Sequence, residues 1–151
     1  MHIWYNSAVK HLALEVTMIY YIKGQVKNKA VVEEYIINLI KHYRMHTRKS
    51  GSITVKFSKN LGGNYLGTCL GDKRDVEILI SKNQSFLSQM RTLSHEFIHA
   101  KQFLRGELDP SGRVWKGIDC DNMKYGTEPY EVEAFDGEDE LFMKTFPFHR
   151  I

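Results

Sequence analysis

The pentad His95-Glu96-Phe97-Ile98-His99 constrains this chain more than any other stretch. It reads H-E-x-x-H, and that pattern has chemical meaning only on a helix. Residues four apart on a helix lie one above the other on the same face. Two imidazoles stacked in that way are placed to share one metal ion, and Glu96 projects beside them to act on a water at that metal. The chain must therefore fold so that a helix spanning the pentad faces a cleft, with a further ligand arriving from another element.

The flanking sequence supplies the helix. Projected at about 100° per residue, residues 84–104 carry Phe86, Met90, Leu93, Phe97, Ala100 and Leu104 on one apolar stripe. His95 and His99 lie on the opposite side with Thr92 and Gln102, flanked by the apolar Ile98 and Phe103. A face of such mixed character suits the floor of a cleft. Ser81-Lys82-Asn83-Gln84 resembles a capping box ahead of this helix, and Gly106 is its stop signal.

The remaining periodicities predict the frame. Residues 12–22 are rich in Val, Ile, Thr and Tyr and read as a strand. Asn28 precedes a helix over 30–46 whose apolar positions Val32, Tyr35, Ile36, Leu39, Ile40 and Tyr43 recur at threes and fours. Residues 53–57 alternate as a strand. The glycine-rich stretch 61–67 lacks the G-K-[ST] ending and the following helix of a phosphate loop, so it reads as a hairpin or a bulged strand. Residues 75–80 form a further strand with Val76, Ile78 and Ile80 on one face. Residues 107–127, with Pro110 and few apolar positions, read as a long loop. Pro129 suits the first position of a last helix that runs to about residue 144. Together these predict an α+β fold in a single domain over residues 1–151, with a small, mostly antiparallel sheet packed against the pentad's helix and further helices around it.

Composition narrows the function classes. Of the 151 residues, 42% are apolar and 26% charged, which suits a globular domain rather than a disordered or fibrous chain. The most apolar N-terminal stretch, 11–22, is broken by Glu15 and too short to span a bilayer, and no secretory signal precedes it. A cytoplasmic location, with no membrane partner, is the expectation. Cys69 and Cys120 lack C-x-x-C spacing and read as inert thiols of a reducing compartment. The net charge of +3 is too small to imply a polyanionic partner. Lys41, His42, Arg44, Arg48 and Lys49 cluster near one helix end, but without an interleaved aromatic stripe they support nucleic-acid association only as a secondary activity.

A catalytic zinc site takes three protein ligands plus water. The third ligand is sought in Glu128-Pro129-Tyr130-Glu131-Val132-Glu133-Ala134-Phe135-Asp136. Glu131 shares its helical face with Phe135, Glu138 and Phe142 and points inward. Glu133 shares its face with Asp136, Gly137, Glu140 and Lys144, a solvated side. Glu131 is therefore preferred, with Glu133 the alternative, and the small Ala134 allows the two helices to approach closely.

The run from Thr92 to Gln102 resembles the active-site helix of zincin metallopeptidases. Trp115-Lys116-Gly117, Tyr125 and Pro129-Tyr130-Glu131-Val132-Glu133-Ala134 resemble the second half of small SprT-like peptidases of a kind common in bacteriophages. The resemblance covers residues 75–142. It implies a zincin-like fold, a glutamate at the head of E-x-x-A as third zinc ligand, which maps to Glu131, and the strand at 75–80 as the sheet edge that takes extended substrate. The chain departs from SprT proteins proper, which use a third histidine and often carry a cysteine-based zinc ribbon.

The expected activity is zinc-dependent hydrolysis of peptide bonds in a protein or peptide substrate. Zn²⁺ would be held by His95, His99 and Glu131, with Glu96 as general base. Tyr125, Tyr130 and Arg113 are the candidate donors to the oxyanion. Glu138 and Asp136 are candidates to orient the imidazoles. The rival reading is a metal-binding adaptor, inhibitor or sensor without catalysis.

Overall fold

A computed structural model describes residues 18–45 and 50–151. The first part of the strand read at 12–22, and Arg48 and Lys49 of the basic cluster, lie outside the described residues. The fold is α+β, and the described residues form three α-helices and a four-stranded mixed sheet.

The sheet forms from strands whose side chains alternate between a buried and an open face. β1 (Ile19–Lys23) buries Tyr20 and Ile22, β2 (Ser52–Ser58) buries Ile53, Val55 and Phe57, and β4 (Asp75–Ser81) buries Val76, Ile78 and Ile80. These sets sit side by side in register, Tyr20 opposite Ile53 and Ile53 opposite Val76, so one face of the sheet is a continuous apolar surface. Helix α1 (Lys29–His42) buries Val31, Val32, Tyr35, Ile36, Leu39 and Ile40. Helix α2 (Phe86–Leu104) packs on β4 and on β3 (Gly67–Gly71), and helix α3 (Pro129–Thr145) packs along α2. The Tyr35 hydroxyl donates to the Met90 carbonyl at 2.9 Å, tying α1 to α2 inside the core.

Strand order is β1-β2-β4-β3, and this corrects the expectation of a mostly antiparallel sheet. β1 pairs β2 and β2 pairs β4 in parallel; only β3 (Gly67–Gly71) against β4 is antiparallel. The crossover through α1 is the reason for the first pairing, since parallel neighbours need a connection that returns the chain to the same end. A second correction concerns the edge. β4 lies inside the sheet, and β3 is the edge strand, folded back on β4 by a tight turn in which Asp72 Oδ1 accepts from the amides of Arg74 and Asp75, both at 2.8 Å. Glycines are the first and last of the five residues of β3, and that hid it in the sequence.

Helix starts moved as well. α2 begins at Phe86, capped by Ser85, whose hydroxyl accepts from the Ser88 amide at 3.2 Å. The expected capping box at Ser81 is instead the end of β4, and Gln84 donates to the carbonyls of Ser81 and Leu66. Within 107–127 the structure holds a small hairpin, β5 (Val114–Trp115) and β6 (Ile118–Asp119), turned by Lys116 and Gly117 at φ of 49° and 85°. Such paired left-handed residues match the twist of a two-residue hairpin turn. Pro129 does open α3 at its first turn.

Phe97 sits at the centre of the core with no exposed surface, beneath the face that carries the histidines. Replacing it by alanine should cost about 3–5 kcal/mol of stability, read as a drop in chemical-denaturation midpoint. A loss under about 1 kcal/mol would mean that α2 is not anchored there. Among the described residues no helix is long and apolar enough to cross a membrane.

Candidate metal centre

α2 presents His95, Glu96 and His99 toward a cleft of about 550 Å³, whose opposite wall includes β3, Tyr125 and the first turn of α3. The α2–α3 contact decides where that first turn lands. Ala134 is fully buried there, and a Cβ on Gly137 would stand 3.2 Å from Ile98 Cδ1. Ser94 Oγ, also fully buried, lies 2.9 Å from the Glu138 carbonyl. Arg91 and Asp139 form an ion pair across the rim.

Pinned in this way, α3 brings Glu131 over both imidazoles. One carboxylate oxygen, Oε1, lies 3.2 Å from His95 Nε2 and 3.1 Å from His99 Nε2. One ligand atom from each of the three residues lies within 4.8 Å of the others. The far ring nitrogens are also engaged. His95 Nδ1 is 2.9 Å from Glu138 Oε1, and His99 Nδ1 is 2.8 Å from Gln102 Oε1.

These partners fix the tautomers. Glu138 is a carboxylate and only accepts, so His95 Nδ1 carries a proton. Gln102 Nε2 donates to the Tyr130 carbonyl at 3.0 Å and to Glu133 Oε1 at 2.8 Å, which turns its oxygen to His99 and makes His99 Nδ1 a donor too. With both outer nitrogens protonated, each Nε2 is the ring atom that faces the same carboxylate oxygen, and it offers a lone pair there once its own proton has left. Three acceptors converging within hydrogen-bond distance require a cation between them, either protons or a metal. Nε2 and carboxylate donors with hydrogen-bonded outer nitrogens are a set suited to zinc.

The electrostatics of the metal-free protein express the same need. Burial opposes charge on His95, but its bond to Glu131, the Glu96 charge and the Glu138 bond outweigh burial and raise its pKa to about 9. His99 is raised against the same burial by Glu131, Glu96 and Gln102. Burial likewise opposes ionisation of Glu131, yet its hydrogen bonds from His95 and His99 hold it down at about 2. Burial lifts Glu96 to about 7, with the His99 and His95 charges pulling the other way.

A metal must displace protons from both Nε2 positions, so its affinity should rise with pH from neutrality through about 9, by up to about tenfold per unit for each proton displaced. The metal-free protein has the opposite sign. Imidazoles with raised folded pKa stabilise it fully below about 6.5, and that contribution fades as pH rises through about 9. Zinc titrations and thermal melts at pH 6.5, 7.5 and 8.5 read both slopes; a pH-independent zinc affinity would show that the imidazoles are not the ligands.

The other predicted residues fall as follows. Glu133 is not at the centre: Oε1 accepts from Lys101 Nζ at 2.6 Å and from Gln102, so its side is ion-paired rather than simply solvated. Asp136 is exposed and makes none of these hydrogen bonds. Tyr125 lines the cleft beside Glu96 and is 73% exposed, its hydroxyl pKa raised by burial and by the Glu131 and Glu96 charges. The Tyr130 hydroxyl turns to Glu128 Oε2 at 3.5 Å, and its ring lies 6.4 Å from that of His99. Arg113 lines the outer cleft and faces Asp121 at 3.5 Å. Cys69 and Cys120 are both free, and burial together with the Glu96 charge pushes the Cys69 thiol well up, which keeps it protonated.

Sequence reasoning missed three contributors. Gln102 was placed on the histidine face but given no role, although its i, i+3 relation to His99 was the available signal. The Phe135 ring packs tilted against that of His95, with centroids 4.7 Å apart. Gly67 lets β3 approach the site, because a Cβ there would stand 2.7 Å from Thr92 Cγ2 and 3.0 Å from Glu96 Cγ. Comparison with protein-family models, curated proteins and solved structures found no match for this chain.

Proposed function

We propose that this chain is a zinc-dependent peptidase, with His95, His99 and Glu131 as ligands and Glu96 as general base. One observation carries the reading. Two Nε2 atoms converge on one carboxylate oxygen at 3.1–3.2 Å, both outer ring nitrogens already have partners, and a buried carboxyl of pKa about 7 stands beside them in an open cleft. The resemblance of residues 92–102 to the zincin active-site helix supports it.

Bound zinc would supply Lewis acidity toward the substrate carbonyl and lower the pKa of a coordinated water to about 7. The chain's own groups do the rest. Glu96, with a pKa matched to neutral solution, takes a proton from the attacking water and returns it to the leaving amine. Glu138 and Gln102 hold the imidazoles in their binding tautomers. Tyr125, on the open wall, is the donor we assign to the oxyanion, because the Tyr130 hydroxyl is directed at Glu128. The outer edge of β3, which pairs with no further strand among the described residues, is where an extended segment of a protein substrate would pair. We place the activity in the cytoplasm.

The test is hydrolysis of an unfolded protein such as casein by the purified chain, with and without zinc. Cleavage that stops on chelation and returns with zinc supports the reading. Stoichiometric zinc without cleavage of any unfolded substrate would favour the non-catalytic alternative.

A further inference from the structure

Lys101, Gln102 and Glu133 lie outside the three-ligand set, yet Lys101 and Gln102 are among the most deeply buried polar groups described. Lys101 is 6% exposed and Gln102 fully buried. A buried ammonium and a buried amide are costly unless every polar atom finds a partner. Here each does. Lys101 Nζ donates to Glu107 Oε1 at 3.0 Å and to Glu133 Oε1 at 2.6 Å. The same Glu133 oxygen accepts from Gln102 Nε2, whose second proton goes to the Tyr130 carbonyl. The only acceptor Gln102 has left faces His99 Nδ1 at 2.8 Å.

From this we infer that Glu133 and Lys101 form a clamp that holds the Gln102 amide in one orientation, and that through it they fix His99 as an Nε2 metal ligand. The inference rests on the zinc reading of the site and adds to it. An amide flipped by 180° would present N–H to His99 Nδ1, force the proton onto Nε2 and block the ligand position. Two acceptors on the nitrogen side prevent that flip: a backbone carbonyl fixed at the start of α3, and a carboxylate held in place by a buried cation. His95 needs no such device, because its partner Glu138 is a carboxylate with no donor end. Glu133 is thus a positioning residue two residues along α3 from the ligand Glu131, and the same element that delivers the third ligand also secures the orientation of the second.

The experiment compares Gln102→Leu, Glu133→Ala and Glu133→Gln with the wild type. Zinc affinity is measured by chelator competition, thermal midpoint by circular dichroism, and the His99 Nδ1 proton by nitrogen-resolved NMR. Gln102→Leu should weaken zinc about 10- to 100-fold, the effect of losing an outer partner of a metal-bound histidine. Glu133→Ala should weaken it on the order of tenfold and speed exchange of the His99 Nδ1 proton. Glu133→Gln, which keeps an oxygen for Lys101 and Gln102, should recover most of the affinity.

Glu133 is 42% exposed at its side chain, so its variants should fold even if Gln102→Leu does not. A Glu133→Ala protein with a lowered melting point but wild-type zinc affinity would reduce the clamp to a structural ion pair and overturn the proposal. Complete loss of zinc in Glu133→Ala would overturn it the other way, by making Glu133 a ligand. The NMR readout needs no metal. A wild type that takes up no zinc but shows a protected His99 Nδ1 proton, lost in Glu133→Ala, would sink the peptidase reading and leave the clamp standing.

Discussion

Glu96→Gln is expected to abolish peptide hydrolysis, by at least about 100-fold, while zinc content stays at the wild-type level. The amide keeps the shape of the side chain but cannot take a proton from water. The same change should raise the stability of the metal-free protein. Burial lifts the Glu96 carboxyl to about 7, so the folded chain holds this proton more tightly than the unfolded chain does. Its contribution is complete below about 4.5 and is lost as pH rises through about 7. A neutral amide escapes that loss, so the variant's melting point should exceed the wild type's more at pH 8 than at pH 5. Stability given up for a poised group is a mark of a functional site. Casein cleavage, metal content and melts at the two pH values test all three statements. Undiminished cleavage by Glu96→Gln would remove Glu96 from the mechanism.

The second large effect concerns the ligands. On the zinc reading of the site, His99→Ala and Glu131→Ala should each lose the near-stoichiometric zinc expected of the wild type, a fall steeper than the roughly 10- to 100-fold expected for an outer partner. Glu131→Ala should also destabilise the metal-free protein at neutral pH, because both rings lose their common acceptor. Its carboxylate is held at about 2 by the two histidines, so the stability it gives is present above about 4.5 and disappears only as pH falls through about 2. Metal analysis of protein purified without added metal decides the point. Zinc lost with His99 but kept with Glu131→Ala would move the third ligand elsewhere. Zinc absent from the wild type even when offered would sink the peptidase reading.

How much of this was legible in the sequence depends on the range of the interactions involved. The pairing of His95 with His99 on one face follows from helical spacing alone, and so does the buried stripe of α2 from Met90 to Leu104. The preference for Glu131 over Glu133 also came from helical phase. The sides of the two glutamates were separable because Ala134, Leu141 and Phe142 mark the buried flank of α3. The core positions of β2 and β4 were readable from their alternation.

What only the tertiary structure decided lies between elements. Strand direction depends on where the connection through α1 returns the chain, and no local propensity encodes that. β3 can lie against β4 and α2 because its glycines admit close approach to Val76 and to Glu96, a steric fact that exists only once the neighbours are in place. Glu133 looked solvated because its own helix shows it polar company; its partner Lys101 sits on α2, and no pattern within α3 names it. Glu138 and Gln102 acquire their roles only when α2 and α3 meet at Ala134 and Ser94. The sequence by itself determined which side chains share a face, since that is geometry within one helix. The packing of two helices against a sheet decided which faces meet, and with them the proton positions on which the proposed chemistry rests.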